Sequence, residues 1–531
     1  MLGLVYPTAQ SAVQSIRGDV GMDILSSFYS GLLVVLEPHN LMYCFIGVFV
    51  GTFIGVLPGI GSMAAIAMIL PLTFYLEPTS ALVMIAGVYY GAEYGGSIAS
   101  ILMNIPGTPA ASITAIEGYP MAKKGRAGVA LFSTATASFG GGMIGMIVMA
   151  ALSPSLAKLA LSFGPADYFA VILLGLIAAS AVSNGGALKG ITMVVAGLML
   201  GTIGIDLTTG DLRYTMGIPE LRDGVHIVIV AMGLFGVSEV IASIRTNKGG
   251  SIAQKIDYNH FYPTREEWKS LFAPIMRGGA IGSVFGALPG TGQTIAAAIA
   301  YAVEKRVNRA KNLFGTGVVP GVAVPEAANN SATQTAFIPT LTLGVPGSPP
   351  MAIVIGALMI YGITPGPRLL TEEPDLFWGL VASFLVGNVM LIILNIPLIG
   401  IWVRLLQIPY KYMYPTIIVL ICIGVYSLNN NVFDIWLTLI IGAVGYWMKL
   451  YKFEPAPLLL GFVLGPLMEE QLRRAMLLSR GDPMVFLERP ISATLIAITV
   501  AVLIYAFYAA IRAKKITASA SSEVQQEGPN T

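Results

Sequence analysis

The stretch Leu57–Ser62, LPGIGS, returns almost unchanged as LPGTGQ at Leu288–Gln293, and both copies lie inside apolar sequence. The first copy follows IGVFVGTFIGV and the second follows GGAIGSVFGA. Proline removes a backbone donor and glycine loses the most conformational entropy in a helix, so each Pro-Gly-x-Gly cluster ends one helix and begins another. At membrane depth the freed N–H and C=O groups are tolerated only inside protein or against a water-filled cavity. Matching breaks in two halves of a chain therefore predict a transporter's binding site.

The composition excludes a soluble domain. Charged residues make up only 11% of the chain, against about 25% in an average soluble domain. Hydrophobic residues make up 55%, and several apolar runs, such as Ala127 to Leu152, are long enough to cross a bilayer. The 60 glycines are typical of membrane helices that pack closely through small residues. A net charge of +2 gives no indication of a nucleic-acid partner. The apolar composition therefore predicts a protein embedded in a lipid bilayer.

A second matching pair indicates an internal repeat. NIPGTP at residues 104–109 corresponds to GVPGSP at residues 344–349, an offset of 240 residues (346 − 106), whereas the first pair is offset by 231 (288 − 57). Two pairs in the same order are the signature of a duplicated unit. We therefore predict an N-terminal lead at 1–21, a first membrane repeat at 22–244, a cytoplasmic linker at 245–270, a second membrane repeat at 271–512 and a disordered C-terminal tail at 513–531.

The basic residues predict opposite orientations for the two repeats. Short loops rich in Lys and Arg stay cytoplasmic. In the first half the arm after the break ends in LEPTS and the later corner carries AKKGR, whereas in the second half the arm ends in EKRVNRAK and the later corner is LLTEEPD. We therefore predict an all-α polytopic membrane protein with roughly 12 spans in two inverted repeats and both termini cytoplasmic. Re-entrant hairpins and broken spanning helices both fit the Leu-Pro-Gly segments.

Polar residues beside the breaks are the candidate ligand contacts. Helix N-termini present free N–H groups and a positive dipole end, which suit a carboxylate, and unwound carbonyls with amide or hydroxyl oxygens suit a cation such as sodium. The candidate substrate- and cation-binding residues are Pro58, Gly59, Gly61, Ser62, Asn104, Thr108, Pro289, Gly290, Thr291, Gly292, Gln293, Thr294, Asn329, Asn330, Ser331 and Ser348.

Two glutamates in apolar sequence have two interpretations each. Charged side chains are costly in lipid and mark functional or helix-pairing positions. Glu93 and Glu326 fit a ligand site and equally fit capping or bracing of a neighbouring segment. For Asn329 and Asn330 we favour a lining role over a purely structural one.

Enzyme signatures are absent from the sequence. There is no G-x-x-x-x-G-K-[ST] phosphate loop, no H-E-x-x-H zinc motif and no G-x-S-x-G elbow. The three histidines are scattered, so we predict no cofactor and no metal other than a transported cation. The reading that we favour is a transporter and not an enzyme. An anion channel that uses the same breaks as a filter, and a membrane-embedded enzyme acting on a lipid-linked anion, are the alternatives.

The ordered motifs resemble the TctA family, the large membrane subunit of the tripartite tricarboxylate transporters. The resemblance is carried by GVLPGIGSMAAIAMILPLTF, YYGAEYGGSIASILMNIPGTPAASITAIEGYPMAKKGRAGVAL, GALPGTGQTIAAAIAYAVEKR, the stretch from FGTGVVPG to ITPGP, and FEPAPLLLGFVLGPLMEEQLRRAM. It spans nearly the whole chain. Glu117 in IEGYP stands where the resemblance leads us to expect Asp, a conservative difference.

The resemblance implies a bacterial inner-membrane secondary transporter. Such a protein works with a small TctB-like membrane subunit and a TctC-like periplasmic binding protein, and it takes up di- or tricarboxylates or related organic anions. Uptake is expected to be driven by a sodium or proton gradient through alternating access, and a homodimer is one option for the assembly. The two Leu-Pro-Gly segments, the Asn-Asn pair and the Pro-Gly-Thr/Ser stretches carry over as expected substrate and cation contacts.

Overall fold

The computed structural model of the chain describes residues 24–181, 185–206, 208–246, 261–406, 408 and 410–526. The predicted lead at 1–21 lies outside these residues, and so do residues 247–260 of the predicted linker. The described chain is helical except for its connections and one short hairpin, in which β1 (Gly204–Ile205) pairs antiparallel with β2 (Leu212–Arg213). The predicted all-α fold is therefore confirmed.

The helices before the linker form the first half. They are α1 (Ile24–Leu36), α2 (Pro38–Val56), α3 (Gly61–Thr73), α4 (Pro78–Met103), α5 (Ala111–Lys123), α6 (Ala127–Ala160), α7 (Pro165–Ala181), α8 (Ala187–Gly201), α9 (Ile227–Ala231) and α10 (Ser238–Thr246). A 3-10 turn, Pro219–Leu221, precedes α9, and a π-helical stretch, Met232–Val237, joins α9 to α10.

The helices after the linker form the second half. They are α11 (Arg265–Ala287), α12 (Gly292–Val307), α13 (Val319–Thr335), α14 (Phe337–Leu343), α15 (Pro349–Ile360), α16 (Leu369–Glu372), α17 (Pro374–Asn395), α18 (Ile399–Leu405), α19 (Tyr410–Asn429), α20 (Val432–Leu450), α21 (Pro455–Leu478), α22 (Val485–Glu488) and α23 (Pro490–Gln526). A 3-10 turn, Lys311–Leu313, follows α12. Helix α23 continues into the segment 513–531, which the sequence predicts as a disordered tail.

Seven helical segments of the described chain are long and apolar enough to cross a membrane. They are α2, α6, the continuous helix 227–245, α17, α19, α20 and α23. Several further apolar helices are shorter, among them α3, α7, α8 and α15. The chain is therefore a multi-pass membrane protein, while the count of roughly 12 spans stays a prediction.

Helix α20 shows the pattern of a lipid-facing helix. Large apolar side chains are exposed along one face, and small or polar side chains are buried along the other. The exposed residues are Trp436, Ile440, Val444 and Trp447. The buried residues are Asp434, Thr438, Gly442 and Gly445. This arrangement is the reverse of a soluble amphipathic helix, and a hydrocarbon solvent explains it because the polar groups then have to be satisfied inside the protein.

Two rows of glycine bring helix backbones into contact. The rows are Gly47, Gly51 and Gly55 on α2, and Gly278, Gly282 and Gly286 on α11. A Cβ atom on Gly51 would lie 2.3 Å from the carbonyl oxygen of Val88 on α4, and one on Gly282 would lie 2.3 Å from that of Ala328 on α13. Only glycine permits this approach. The rows are 231 residues apart (278 − 47), the same offset as the two Leu-Pro-Gly breaks.

Each break comes directly after one of these glycine rows in the chain. Helix α2 ends at Leu57 and α11 ends at Leu288, both in extended conformation. The next two glycines in each copy have positive φ, 84° and 75° at Gly59 and Gly61, and 80° and 66° at Gly290 and Gly292. Such angles are costly for residues with a side chain. The prediction that each Pro-Gly-x-Gly cluster ends one helix and starts another is confirmed.

The second pair of motifs also forms breaks. Helix α4 ends at Asn104 in the left-handed conformation, and α14 ends in the same way at Gly344. Each half therefore has the order helix, break, helix, helix, break, helix, with α2 to α5 matched by α11 to α15, where α13 and α14, separated only by Ala336, together match α4. Helices α6 and α17 follow as long apolar helices. The repeated order is a property of the fold, and the opposite orientation of the halves in a bilayer stays a prediction.

The hairpin between α8 and α9 is held against the end of α21. Arg473 on α21 lies 2.7 Å from the Asp206 carboxylate, and Arg213 of β2 lies 3.0 Å from Glu469. The hydrogen bond from Arg473 lowers the pKa of Asp206 to about 2, so this carboxylate stays charged at physiological pH. The loop after α8 and the end of α21 therefore lie on the same side of the protein.

Replacing Gly51 with alanine tests the backbone contact between α2 and α4. We expect Gly51→Ala to cost about 1–3 kcal/mol because its Cβ atom overlaps backbone that cannot move independently. The measurement is the apparent melting temperature of the detergent-purified protein, followed by size-exclusion chromatography. Gly465→Ala is the control, because its Cβ atom would come no closer than 3.3 Å to Leu198. Equal melting temperatures for the two variants would contradict the close contact.

Candidate functional site

Four helices begin at the breaks without a side-chain cap. They are α3, α5, α12 and α15, whose preceding residues are Ile60, Ala110, Thr291 and Ser348. The first backbone N–H groups of a helix have no partner within the helix, and the dipole makes this end positive. Each half contributes two such helix starts, one from each of its breaks, although α15 begins with Pro349 and Pro350, which have no backbone N–H.

Polar residues near these helix starts converge on one part of α4. Ser62 and Gln293 follow the two Leu-Pro-Gly breaks, and Thr108 and Ser348 belong to the second pair of breaks. All four are buried. Their common partners are Glu93 and Tyr89, which lie one helical turn apart on α4. Sequences 231 and 240 residues apart therefore meet at a single site.

Glu93 is the acidic residue at the centre of this site. Its side chain is 1% exposed. Gln293 donates from Nε2 to Oε1 at 3.3 Å, and Asn329 of α13 donates from Nδ2 to Oε2 at 3.2 Å. Ser62 and Thr108 lie within reach of the same carboxylate. A first-half carboxylate thus receives its two amide hydrogen bonds from the second half of the chain.

Tyr89 joins the same network through its hydroxyl group. Gln293 Nε2 donates to the Tyr89 hydroxyl at 2.8 Å, and Ser348 Oγ lies 3.0 Å from it. Gln293 therefore links Tyr89 with Glu93, and Tyr89 in turn links the second Leu-Pro-Gly break with the Gly-Val-Pro-Gly-Ser break. Both breaks of the second half are tied to one helix of the first half.

One amide oxygen at this site has no partner among the described residues. It is Asn329 Oδ1, and its side chain is almost fully buried. Leaving a buried acceptor without a hydrogen bond costs roughly 1–3 kcal/mol. Amide oxygens are ligands of hard cations, so this atom fits the coordination of a cation beside Glu93.

The acidic side chain at this site has no basic partner among the described residues. In the part of the chain that the structure describes, neither Glu93 nor Glu326 forms a salt bridge. The described residues also contain no group of three or more His, Cys, Asp or Glu side chains that could hold a metal ion. The positive features near Glu93 are therefore the uncapped helix N-termini, which carry only partial charge.

The two adjacent asparagines lie at different places. Asn329 contacts Glu93, whereas Asn330 donates from Nδ2 to the Glu326 backbone oxygen one turn earlier on α13 at 3.1 Å. Ser331 is further away still, because its hydroxyl donates to the Gly279 backbone oxygen at 2.8 Å and holds α13 against α11. Of the three consecutive candidates, only Asn329 belongs to the Glu93 site.

Three other candidates also lie outside the Glu93 network. The Thr291 hydroxyl donates to the backbone oxygens of Phe285 and Leu288, so it closes the break that it belongs to. Thr294 is exposed, and Asn104 is exposed at the left-handed end of α4. The binding roles of these three residues stay predictions, and each residue lies outside the Glu93 network.

The prolines and glycines shape the breaks. Pro58 and Gly292 are buried, and Gly59, Gly61, Pro289 and Gly290 are half-buried. The Gly290 N–H donates to the Gly347 backbone oxygen at 3.2 Å, which joins the two breaks of the second half directly. A Cβ atom on Gly290 would lie 2.8 Å from the Ala179 nitrogen on α7. These residues therefore act through backbone geometry.

Sequence reasoning left Glu93, Glu326 and Tyr89 out of the candidate set. The signal for the two glutamates was present, because an acidic residue in an apolar helix marks a special position. This signal does not distinguish a ligand site from a contact that only holds neighbouring helices together. Tyr89 carried no signal, since a tyrosine in a membrane helix is common, and only the folded chain brings Gln293 and Ser348 to its hydroxyl group.

Comparison with known proteins gives a family and two relatives. The model of the family described as "Tripartite tricarboxylate transporter TctA family" matches residues 41–460. An uncharacterized 52.8 kDa protein in the TAR-I ttuC' 3' region of Agrobacterium vitis is 46% identical over 494 residues, which cover 93% of this chain and 98% of that protein. An uncharacterized protein in the TAR-II ttuC' 3' region of the same organism is 51% identical over 234 residues, covering 44% of this chain and 97% of that protein. No solved structure matches.

Removing the Gln293 amide tests whether the second break is anchored to α4. We expect Gln293→Ala to lower the free energy of unfolding by about 1–3 kcal/mol, because Tyr89 and Glu93 each lose a buried hydrogen bond. The readout is the apparent melting temperature in detergent. Thr294→Ala is a matched control, since the neighbouring Thr294 is exposed. A Gln293→Ala protein as stable as the control would exclude the bridge.

Proposed function

This chain belongs to the tripartite tricarboxylate transporter TctA family, and we propose that it carries a di- or tricarboxylate, or a related organic anion, across the bilayer together with sodium ions or protons. The family is a transporter family, which fits the prediction that the chain is not an enzyme. The substrate class, the coupling ion and the mechanism are our proposal.

The observation that carries this proposal is the Glu93 site. Uncapped N-termini of helices from both halves surround a buried carboxylate that has no basic partner among the described residues. The free N–H groups are suited to a substrate carboxylate. Glu93, Asn329 Oδ1 and the nearby hydroxyls are suited to a cation. An anionic substrate and a cation thus both have suitable partners within one site.

Electrostatics explains why uptake should be coupled to a cation. A substrate carboxylate about 4 Å from an ionised Glu93 is repelled by roughly 4 kcal/mol at the effective dielectric of a protein site. This cost disappears when a sodium ion or a proton neutralises Glu93. Substrate and cation therefore favour each other's binding, and this mutual preference is the thermodynamic basis of symport.

The repeated breaks support an alternating-access mechanism. Each half supplies two breaks to the site, so a rigid-body movement of the break-bearing helices relative to the other helices would expose the same ligands to either side in turn. The predicted inverted orientation of the halves would make the outward-open and inward-open forms similar in construction. This mechanism keeps the irregular backbone inside protein in both forms.

The proposed assembly follows the family. We propose a small TctB-like membrane subunit and a TctC-like periplasmic solute-binding protein as partners, with the chain in the bacterial inner membrane. Membership of a tripartite transporter family supports both partners. The binding protein would capture the anion and deliver it to the Glu93 site.

Gradient-driven uptake tests the function. Proteoliposomes that contain the chain with both partners should accumulate a radiolabelled carboxylate, with citrate and a dicarboxylate as probes, above its external concentration when an inward sodium or proton gradient is imposed. Glu93→Gln should abolish accumulation but retain substrate exchange, because the amide removes the charge that requires a cation. Glu372→Gln, an exposed position on α16, is the control.

Three other outcomes would contradict the proposal. Uptake that only equilibrates the substrate would indicate the channel alternative. Conversion of a substrate without accumulation in the vesicles would indicate an enzyme. Accumulation by Glu93→Gln equal to that of the control would remove Glu93 from the coupling step.

A further inference from the structure

A second buried polar site lies on another face of α13. Glu326, Asn330 and Gln334 recur every four residues and so share one face of the helix. Asn329 and Thr333 are displaced by one position from Asn330 and Gln334, and Asn329 contacts Glu93. Helix α13 therefore presents Asn329 to the breaks, and on a separate polar face it presents Glu326 to α4, α5 and α6.

The Glu326 carboxylate is surrounded by hydroxyl groups from the first half. The residue is 0% exposed. Ser97 of α4 donates to Oε1 at 2.6 Å, Thr114 of α5 donates to the same oxygen, and Ser138 of α6 donates to Oε2 at 3.0 Å. Three helices of the first half thus each contribute one hydroxyl to a carboxylate of the second half.

Unpartnered polar atoms continue along the same face. Asn330 Oδ1 and both amide atoms of Gln334 have no hydrogen bond within the described residues, although each side chain is 1% exposed. Because Gly142 of α6 has no side chain, Gln334 and Asn388 of α17 can both lie against it. A Cβ atom on Gly142 would lie 2.9 Å from Gln334 Nε2 and 2.7 Å from Asn388 Oδ1. Buried polar atoms without protein partners are places for a water molecule or an ion, and Asn330 lies one helical turn from Glu326.

A small cavity adjoins this face. Its lining includes Tyr94 of α4, Ser138 of α6 and Asn395 of α17. Ser138 also donates to Glu326, and Asn395 Oδ1 is unpartnered within the described residues. Through Ser138 the cavity therefore borders the Glu326 hydroxyl cluster.

We infer that Glu326, with Ser97, Thr114 and Ser138, forms a monovalent-cation site for sodium, separate from the Glu93 site. A carboxylate and hydroxyl oxygens are hard ligands that suit such an ion. Each hydroxyl that now donates to Glu326 can turn its hydrogen away and offer a lone pair to the ion. A single carboxylate balances one positive charge, which favours a monovalent over a divalent cation.

A sodium ion at Glu326 would bridge the two halves. Its ligands come from α4, α5 and α6 of the first half and from α13 of the second half, so the ion would be bound only when these helices are together. Its participation in uptake rests on the proposed function, whereas its binding does not.

Direct binding of ²²Na⁺ to the purified full-length chain tests the site without substrate or partners. We expect saturable binding to the unmodified chain, and Glu326→Gln and the isosteric Thr114→Val should each weaken it by about tenfold or more, since each removes a ligand oxygen. Thr52→Val is the matched control, because Thr52 is also fully buried but its hydroxyl bonds only to Val48 of its own helix. Size-exclusion profiles establish that each variant is folded. If Glu326→Gln does not fold, the binding measured for Thr114→Val still decides the test.

The position of the site is tested by one further comparison. Ser138→Ala should weaken ²²Na⁺ binding, and Ser153→Ala, at a buried serine of the same helix, should not. Absence of binding to the unmodified chain, or wild-type affinity in both Glu326→Gln and Thr114→Val, would overturn the inference. Loss of binding in Glu93→Gln alone would also overturn it by placing sodium at the breaks. Proton-driven uptake without ²²Na⁺ binding would leave the proposed function intact while refuting this site.

Discussion

The structure depends on one constraint: backbone that is freed at a helix break in a membrane has to be enclosed by protein. Each half meets this constraint with a row of glycines that brings α2 against α4, or α11 against α13, at backbone contact distance. The long helices thereby cover the breaks at Leu57–Ser62 and Leu288–Gln293. The first N–H groups of α3 and α12 lack side-chain caps, and in the proposed function they bind the substrate.

Helix α13 divides the polar interior into two sites. One face gives Asn329 to the Glu93 network at the breaks, and another gives Glu326 to the hydroxyls of Ser97 and Ser138. Both carboxylates receive hydrogen bonds from the opposite half of the chain. In the proposed function, these two buried acidic residues would repel an anionic substrate until cations neutralise them. This repulsion is the physical reason that we give for coupling.

The sequence was sufficient for the fold class and for the breaks. Pro-Gly-x-Gly in apolar sequence allows few backbone solutions, and both copies adopt the predicted interruption. The family resemblance is confirmed as well. Side-chain partners were beyond sequence reasoning, because they depend on helix rotation: Asn329 and Asn330 are neighbours in the chain but face different sites, and Ser331 contacts α11. The cost of burying Glu93 in an apolar helix marks it as a special position, yet only the structure shows that Gln293, 200 residues away, donates to it.

The central claim is that breaks from two oppositely oriented halves meet inside the bilayer around Glu93 and hold the transported anion. Cryo-electron microscopy of the chain in lipid nanodiscs, with and without a bound carboxylate, measures this most directly. We predict both Pro-Gly turns at mid-bilayer depth, halves of opposite direction, and ligand density between the N-termini of α3 and α12. Turns in bulk solvent, halves that cross the lipid in the same direction, or a ligand bound away from Glu93 would contradict the account.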